Sequence, residues 1–278
     1  MAGNITLDDV TKVNHDTYKQ ITGTDLGTDK RGLDLFPRDA SKEIVKGNVE
    51  GQSFTTIFGH NPEVGTTEET VWPEGGLYTW PASAAQLTVS SSSANDVAGG
   101  SGLTMVLIIG LDADYAEIQE FIMLNGQTGV TTVNSYLRVN QMVGIAAGST
   151  GYNEGAVYIG SGVITNGKPA SIVNMIEVGA NLNATGFFTI PAGKTGLAEQ
   201  AFYDGQASKE LVMNSYTRSF GGLFLRIASF NLSSSVANLL GITSPGTFTE
   251  KSDIEFRGII DTQTGDLKIA ITFLLIDN

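Results

Sequence analysis

Leu267-Lys-Ile-Ala-Ile-Thr-Phe-Leu-Leu-Ile276 decides the fold class of this chain. Its odd positions, Leu267, Ile269, Ile271, Phe273 and Leu275, are large and apolar, whereas its even positions begin Lys268, Ala270, Thr272. A period of two places the first set on one face of a pleated strand and the second set on the other. The run Asp253-Ile-Glu-Phe-Arg-Gly-Ile-Ile260 alternates in the same way, which predicts Asp253, Glu255 and Arg257 on the outer face. Between the two runs, Asp261-Thr-Gln-Thr-Gly-Asp266 is rich in turn formers and suits an antiparallel hairpin.

Working outward, further strand-length apolar runs lie at 86–90, 103–109, 118–124, 136–145, 155–160, 171–178 and 186–190, and again at 195–202, 209–217 and 222–231. They are separated by turn signals such as Asn125-Gly126 and Asn166-Gly167. Short strands at this spacing predict an all-β protein with an antiparallel β-sandwich or jelly-roll-like body. Residues 1–60 are polar and are broken by Gly23, Gly27, Gly32 and Pro37, so they read as an extended N-terminal arm with a short helix started by Thr6. Residues 61–192 read as a sandwich domain, and 193–278 as a second β-domain or a continuation of the first. Val236, Leu239 and Leu240 would share one face of a small helix over 233–241.

Charged residues make up 16% of the chain, so much of its surface is either neutral and polar or covered by other subunits. The formal net charge is −13, and it is uneven. Residues 51–200 carry Arg138, Lys168 and Lys194 against 12 acidic side chains, net −9. Phosphate backbones and anionic lipid heads would repel such a surface, which argues against nucleic-acid and membrane partners. The chain has no Cys, so the fold uses neither a disulfide nor a thiolate. No signal peptide is visible at the N-terminus, and the most apolar run, 103–109, is too short to span a bilayer.

Catalytic patterns fail on spacing. Gly99-Gly-Ser-Gly102 precedes a strand where a phosphate cradle needs a helix. Asp112-Ala-Asp-Tyr-Ala-Glu117 lacks the third ligand, glycine and terminal Glu of a calcium loop in register, and reads as an acidic hairpin. His15 and His60 lie in the irregular N-terminal part and form no zinc-ligand pair. The expectation is therefore a protein that is not an enzyme, with no catalytic residue, cofactor or metal. The densest aromatic patch is Val71-Trp-Pro-Glu-Gly-Gly-Leu-Tyr-Thr-Trp-Pro81. Its rings could stack on a sugar, but such rings more often anchor a loop onto a core or a neighbouring subunit. Trp72, Tyr78 and Trp80 are accordingly the expected assembly contact.

Two groups of motifs carry a resemblance. The first is Trp72-Pro-Glu-Gly-Gly-Leu-Tyr-Thr-Trp-Pro81, Leu87-Thr-Val-Ser-Ser-Ser-Ser-Ala-Asn-Asp96, Gly110-Leu-Asp-Ala-Asp-Tyr115 and Leu124-Asn-Gly126. The second is Ile190-Pro-Ala-Gly-Lys-Thr-Gly196, Phe220-Gly-Gly222, Thr249-Glu-Lys-Ser-Asp-Ile-Glu-Phe-Arg257 and Leu275-Ile-Asp-Asn278. In this order, from about residue 60 to the end, they resemble virion structural proteins of tailed bacteriophages of marine and cyanobacterial hosts. The resemblance implies a virion location after assembly in the host cytoplasm, and other virion subunits as partners. It points first to a capsid decoration or head-surface protein held by its N-terminal arm, and secondly to a tail, neck or fibre-attachment component. From another class, a receptor- or glycan-binding module stays open. The usual symmetry of such parts makes a homo-oligomer, as a closed trimer, the expected state.

Overall fold

The computed structural model describes residues 40–205, 210–232, 246–261 and 264–278, and the backbone of 238–241. The chain divides into a unit of residues 1–50 and a unit of residues 51–278. In the first, α1 (Ala40–Val45) runs into a turn at Gly47, whose φ of 73° suits glycine. The helix expected after Thr6 and the arm over 1–39 lie outside the described residues.

The second unit is all-β and antiparallel. It opens with β1 (Gln52–Val64) and the two-residue β2 (Glu69–Thr70). Then follow β3 (Ala85–Ser91), β4 (Leu103–Leu111), β5 (Glu117–Met123), β6 (Val130–Tyr136), β7 (Arg138–Ala147), β8 (Val157–Thr165) and β9 (Lys168–Ile176). The chain returns through β10 (Phe187–Thr189), β11 (Lys194–Gly205), β12 (Leu211–Arg218), β13 (Leu225–Leu232) and β14 (Asn238–Gly241). It ends with β15 (Thr247–Phe248), β16 (Asp253–Ile260) and β17 (Gly265–Asp277). Each strand expected from the sequence overlaps one of these.

Among the described residues the strands form four sheets in two face-to-face pairs. One sheet is ordered β1-β17-β11-β14 with β15 beside β11, and the facing sheet is ordered β10-β16-β12-β13 with β2 beside β16. Their inner faces share one core, in which the rings of Phe188 and Phe273 stack 5.7 Å apart. The other pair is β6-β3-β8-β9 against β5-β4-β7, around a second core that includes Val89, Val106, Ile108, Met142 and Ile159. Sheets packed this way bury one residue in two along each strand. The second sandwich, built from β3 to β9, is thus inserted between β2 and β10 of the first. The division expected at 192/193 does not coincide with the cores, because Phe188 and Ile190 belong to the same core as Ile57 and Leu275.

Three expectations are corrected. Residues 52–60 are not part of an arm but lie in β1, which pairs with β17 from Gln52 opposite Ile276 to Asn61 opposite Leu267. Its β-branched and aromatic residues suit a pleated, half-buried surface although few are large aliphatics. The helix expected over 233–241 is a strand over 238–241, with Leu240 opposite Ala201, while 233–237 lie outside the described residues. Three apolar residues at helical spacing are too short a pattern to outweigh pairing with a neighbouring strand. Finally, Asp253 and Glu255 do not face solvent but are buried. The outer face of β16 is covered by the connection from β2 and by the inserted sandwich, and paired donors compensate both carboxylates, as set out below.

Candidate functional site

The aromatic segment folds onto its own chain. A tight turn through Gly75 and Gly76, both at positive φ, lets the Trp72 Nε1–H donate to the Gly75 and Gly76 carbonyls at 2.8 and 3.2 Å. Trp72 and Tyr78 are 5% and 6% exposed and form a cluster with Phe187. Tyr78 stacks on Phe187 at 3.9 Å, and Trp72 meets Tyr78 edge-on at 5.3 Å. Burial pushes the Tyr78 phenol well above its usual range. Trp80 is half-buried against Phe187 and Phe224, and Arg138 lies over its ring. Of the expected assembly contact, Trp72 and Tyr78 are therefore covered within the chain itself, and Trp80 is half-buried. These rings seal the junction where the chain leaves the first sandwich and re-enters it, and Trp72 and Tyr78 have no free face for a neighbour or a sugar.

A charged seam runs beside this cluster. The Arg138 side chain, from the start of β7 in the inserted sandwich, donates to Asp253 through Nε at 2.9 Å and Nη2 at 3.2 Å. Its Nη1 donates to the Pro81 and Leu137 carbonyls. Arg218 from β12 donates to the same carboxylate, and so does the Thr189 hydroxyl. Next to it, Glu255 accepts from Thr70 Oγ1, Trp80 Nε1 and both Nε and Nη2 of Arg257. Charges this deep survive because each carboxylate is met by a cation and by additional donors.

The apolar outer faces were missed by sequence reasoning. On the sheet β5-β4-β7, the row Phe121–Leu107–Val143 is flanked by the row Met123–Met105–Ala146. Phe121 is 59% exposed and Met123 45% exposed. The outer face of the first sandwich carries the rows Phe58–Ala270–Phe202 and Phe54–Leu274–Leu197 across β1, β17 and β11. Phe58 and Phe202 are partly exposed, at 41% and 38%. The available signal was the apolar run at 103–109, interrupted only by Thr104, which reads like a strand covered on both faces.

The remaining sequence candidates resolve into scaffold features. Within 99–102, Gly102 packs against a buried carboxylate of the chain itself, that of Asp96. Asp96 accepts from the backbone N–H of Leu103, Glu154 and Gly155 and from Ser91 Oγ. Asp112 closes the β4–β5 turn by accepting from the N–H groups of Asp114 and Ala116. Among the described residues no group of three or more His, Asp or Glu side chains could hold a metal, and no helix is long and apolar enough to cross a membrane. His15 lies outside the described residues.

His60 sits between two carboxylates. Its Nδ1 is 2.7 Å from Glu177 Oε2, and its Nε2 is 3.2 Å from Asp266 Oδ1, close enough for an ion pair but misaligned for a hydrogen bond. The hydrogen bond to Glu177, aided by the charges of Glu177 and Asp266, raises its pKa above the usual 6.5, although burial opposes this. The folded state then binds the proton more tightly than the unfolded state does. The stabilisation is complete below pH 6.5 and is lost as pH rises through the raised folded value. His60→Gln is expected to narrow its stability gap from the parent between pH 6 and 9. A midpoint at or below 6.5 for the His60 ring in an NMR titration would contradict this assignment.

No protein-family model matches the chain, and no curated protein matches it. Solved structures similar to it include infectious bursal virus derived T=1 particles, at 11% identity over 82% of this chain and 74% of that chain, with a TM-score of 0.19. The structure of the Gt strain of infectious bursal disease virus is similar at 11% identity over 82% and 77%, with a TM-score of 0.20.

Proposed function

We propose that this chain is a non-enzymatic structural subunit of a tailed-phage virion that works by adhesion between subunits, most specifically as a capsid decoration or head-surface protein. The observation that carries the reading is the apolar outer face of β5-β4-β7, together with the similar face of β1-β17-β11. Contiguous apolar surface marks a contact surface. Three strands about 4.8 Å apart and about eight residues long present roughly 400 Å², and the longer strands of the other face roughly 600 Å². A stable interface takes about 800 Å² from each partner. Neither face reaches that alone, so the expected state is a closed ring or lattice, in which each copy is held by more than one contact. The motif resemblance supplies the virion, and residues 1–50 supply the proposed attachment.

Both parts are testable. At micromolar concentration the parent chain is expected to run as an oligomer, a trimer in the simplest ring, by size exclusion with light scattering. Leu107→Glu, in the middle of the apolar row, is expected to give a folded monomer. A parent chain that is monomeric under the same conditions would refute the reading. Deleting residues 1–50 should abolish incorporation into particles while leaving the β-body folded. Incorporation at the tail instead of the head would favour the neck or fibre-attachment reading.

A further inference from the structure

We propose that the pocket between the β4–β5 turn, the β12–β13 turn and the turn ahead of β16 is an anion site that binds a single oxyanionic group, a carboxylate or a phosphate. The inference is independent of the virion reading. The cavity has a volume of about 300 Å³, with Tyr115, Phe220, Gly221, Arg218 and Lys251 on its walls and Asp253 at its floor.

The charge in this pocket is unbalanced. Arg138, Arg218 and Lys251 converge on it or on the carboxylate beneath it, and Asp253 is the acid that faces them. Asp253 is already saturated, because Oδ1 accepts from Arg138 and Thr189 and Oδ2 accepts from Arg138 and Arg218. The Lys251 ammonium makes no ion pair among the described residues. It lies 5.8 Å from the Tyr115 ring centroid and 5.4 Å from that of Phe220. A cation held against two aromatic faces, beside an arginine, in a chain of net charge −13, is a local positive hole in an acidic surface. An incoming oxyanion would meet the Lys251 ammonium and the edge of the Arg218 guanidinium turned away from Asp253.

A second, independent observation points to the same place. Among the described residues, the non-glycine positions with positive φ are Tyr115, Asn166, Asn181 and Lys251. Asparagine tolerates this region, whereas tyrosine and lysine seldom enter it. Both of the unexpected residues line this pocket, at φ 67° and 61°. Both are held there by one short segment, since Ala192 N–H donates to the Tyr115 carbonyl and Lys251 N–H donates to the Ile190 carbonyl. Backbone strain maintained by surrounding contacts is characteristic of sites that present a side chain to a ligand.

The test is a titration of the full-length protein with inorganic phosphate and with acetate, at ionic strength held constant with sodium chloride. Tryptophan emission reports on the site, because Arg218 lies 5.4 Å from the Trp80 ring centroid. Saturable binding of at least one of the two anions is expected. In Lys251→Gly that binding should be about ten-fold weaker or absent, while melting stays at or above the parent value because glycine suits this φ. Lys251→Gln removes the charge alone and should weaken binding in the same direction. No saturable binding by the parent chain, or equal binding by parent and variants, would overturn the site. If binding is found, light scattering in excess phosphate identifies the natural source. Dissociation of the parent assembly that Lys251→Gly does not share assigns the group to an acidic side chain of a second copy, and an unchanged assembly assigns it to a free acid.

Discussion

Asp253→Ala is expected to cost the fold about 3–5 kcal/mol, the penalty for removing one partner of a buried ion pair. The carboxylate is 3% exposed and accepts five hydrogen bonds from Arg138, Arg218 and Thr189. Alanine leaves the Arg138 guanidinium buried without a counter-charge. The loss also reaches beyond one strand. Arg138 belongs to the inserted sandwich, whereas Asp253, Arg218 and Thr189 belong to the first, so the carboxylate ties two separate hydrophobic cores together. The variant is expected to melt lower in calorimetry and to resolve into two transitions where the parent shows one, because each core then opens alone. The double variant Arg138→Met/Asp253→Leu removes both charges for apolar bulk and should recover much of the loss. A change within about 0.5 kcal/mol for Asp253→Ala would mean that water reaches the site and that the seam is not the tie described.

The same carboxylate marks what the sequence could disclose. Alternation located β16 and β17, and the inner positions Leu267 to Leu275 lie in the core as their period requires. Alternation cannot tell which outer faces stay wet. Asp253 and Glu255 are polar residues on an outer face, but that face is roofed by residues 70–81 and by Arg138, more than 100 positions away in sequence. The inserted sandwich was hidden for the same reason. Its record lies in long-range pairings, Gln52 with Ile276 and Thr70 with Arg257, and local pattern has no access to contacts of that range. The boundary expected at 192/193 followed a real turn at 190–193, but a turn inside a sandwich and a turn between sandwiches have the same composition. β1 was overlooked because Thr55, Thr56, Gly59 and His60 dilute its apolar content. Gly59 is needed there, because a Cβ at that position would come within 2.8 Å of the Gly186 backbone. The apolar run at 103–109 was visible, and its two-sidedness was the one legible hint of an exposed contact face.

Trp72→Ala separates the two destinies open to the aromatic segment. A ring that served mainly to grip a neighbouring subunit would, when truncated, leave the isolated chain's stability within about 0.5 kcal/mol and weaken only the assembly. Trp72 instead packs edge-on against Tyr78 and Phe187, and its indole N–H closes the turn that aims the segment back at the body. Truncation removes an aromatic side chain from a close-packed cluster and leaves a cavity, which typically costs about 3–5 kcal/mol. Two measurements keep the readings apart. The first is the urea midpoint of Trp72→Ala in the Leu107→Glu background, where assembly is removed and only the intrachain term remains. The second is Leu77→Ala in the same segment. Leu77 is 55% exposed, so its truncation should change stability by less than about 0.5 kcal/mol. If Trp72→Ala proved neutral in the monomeric background, the ring could not be sealing the junction, and the surface role expected from the sequence would have to be restored.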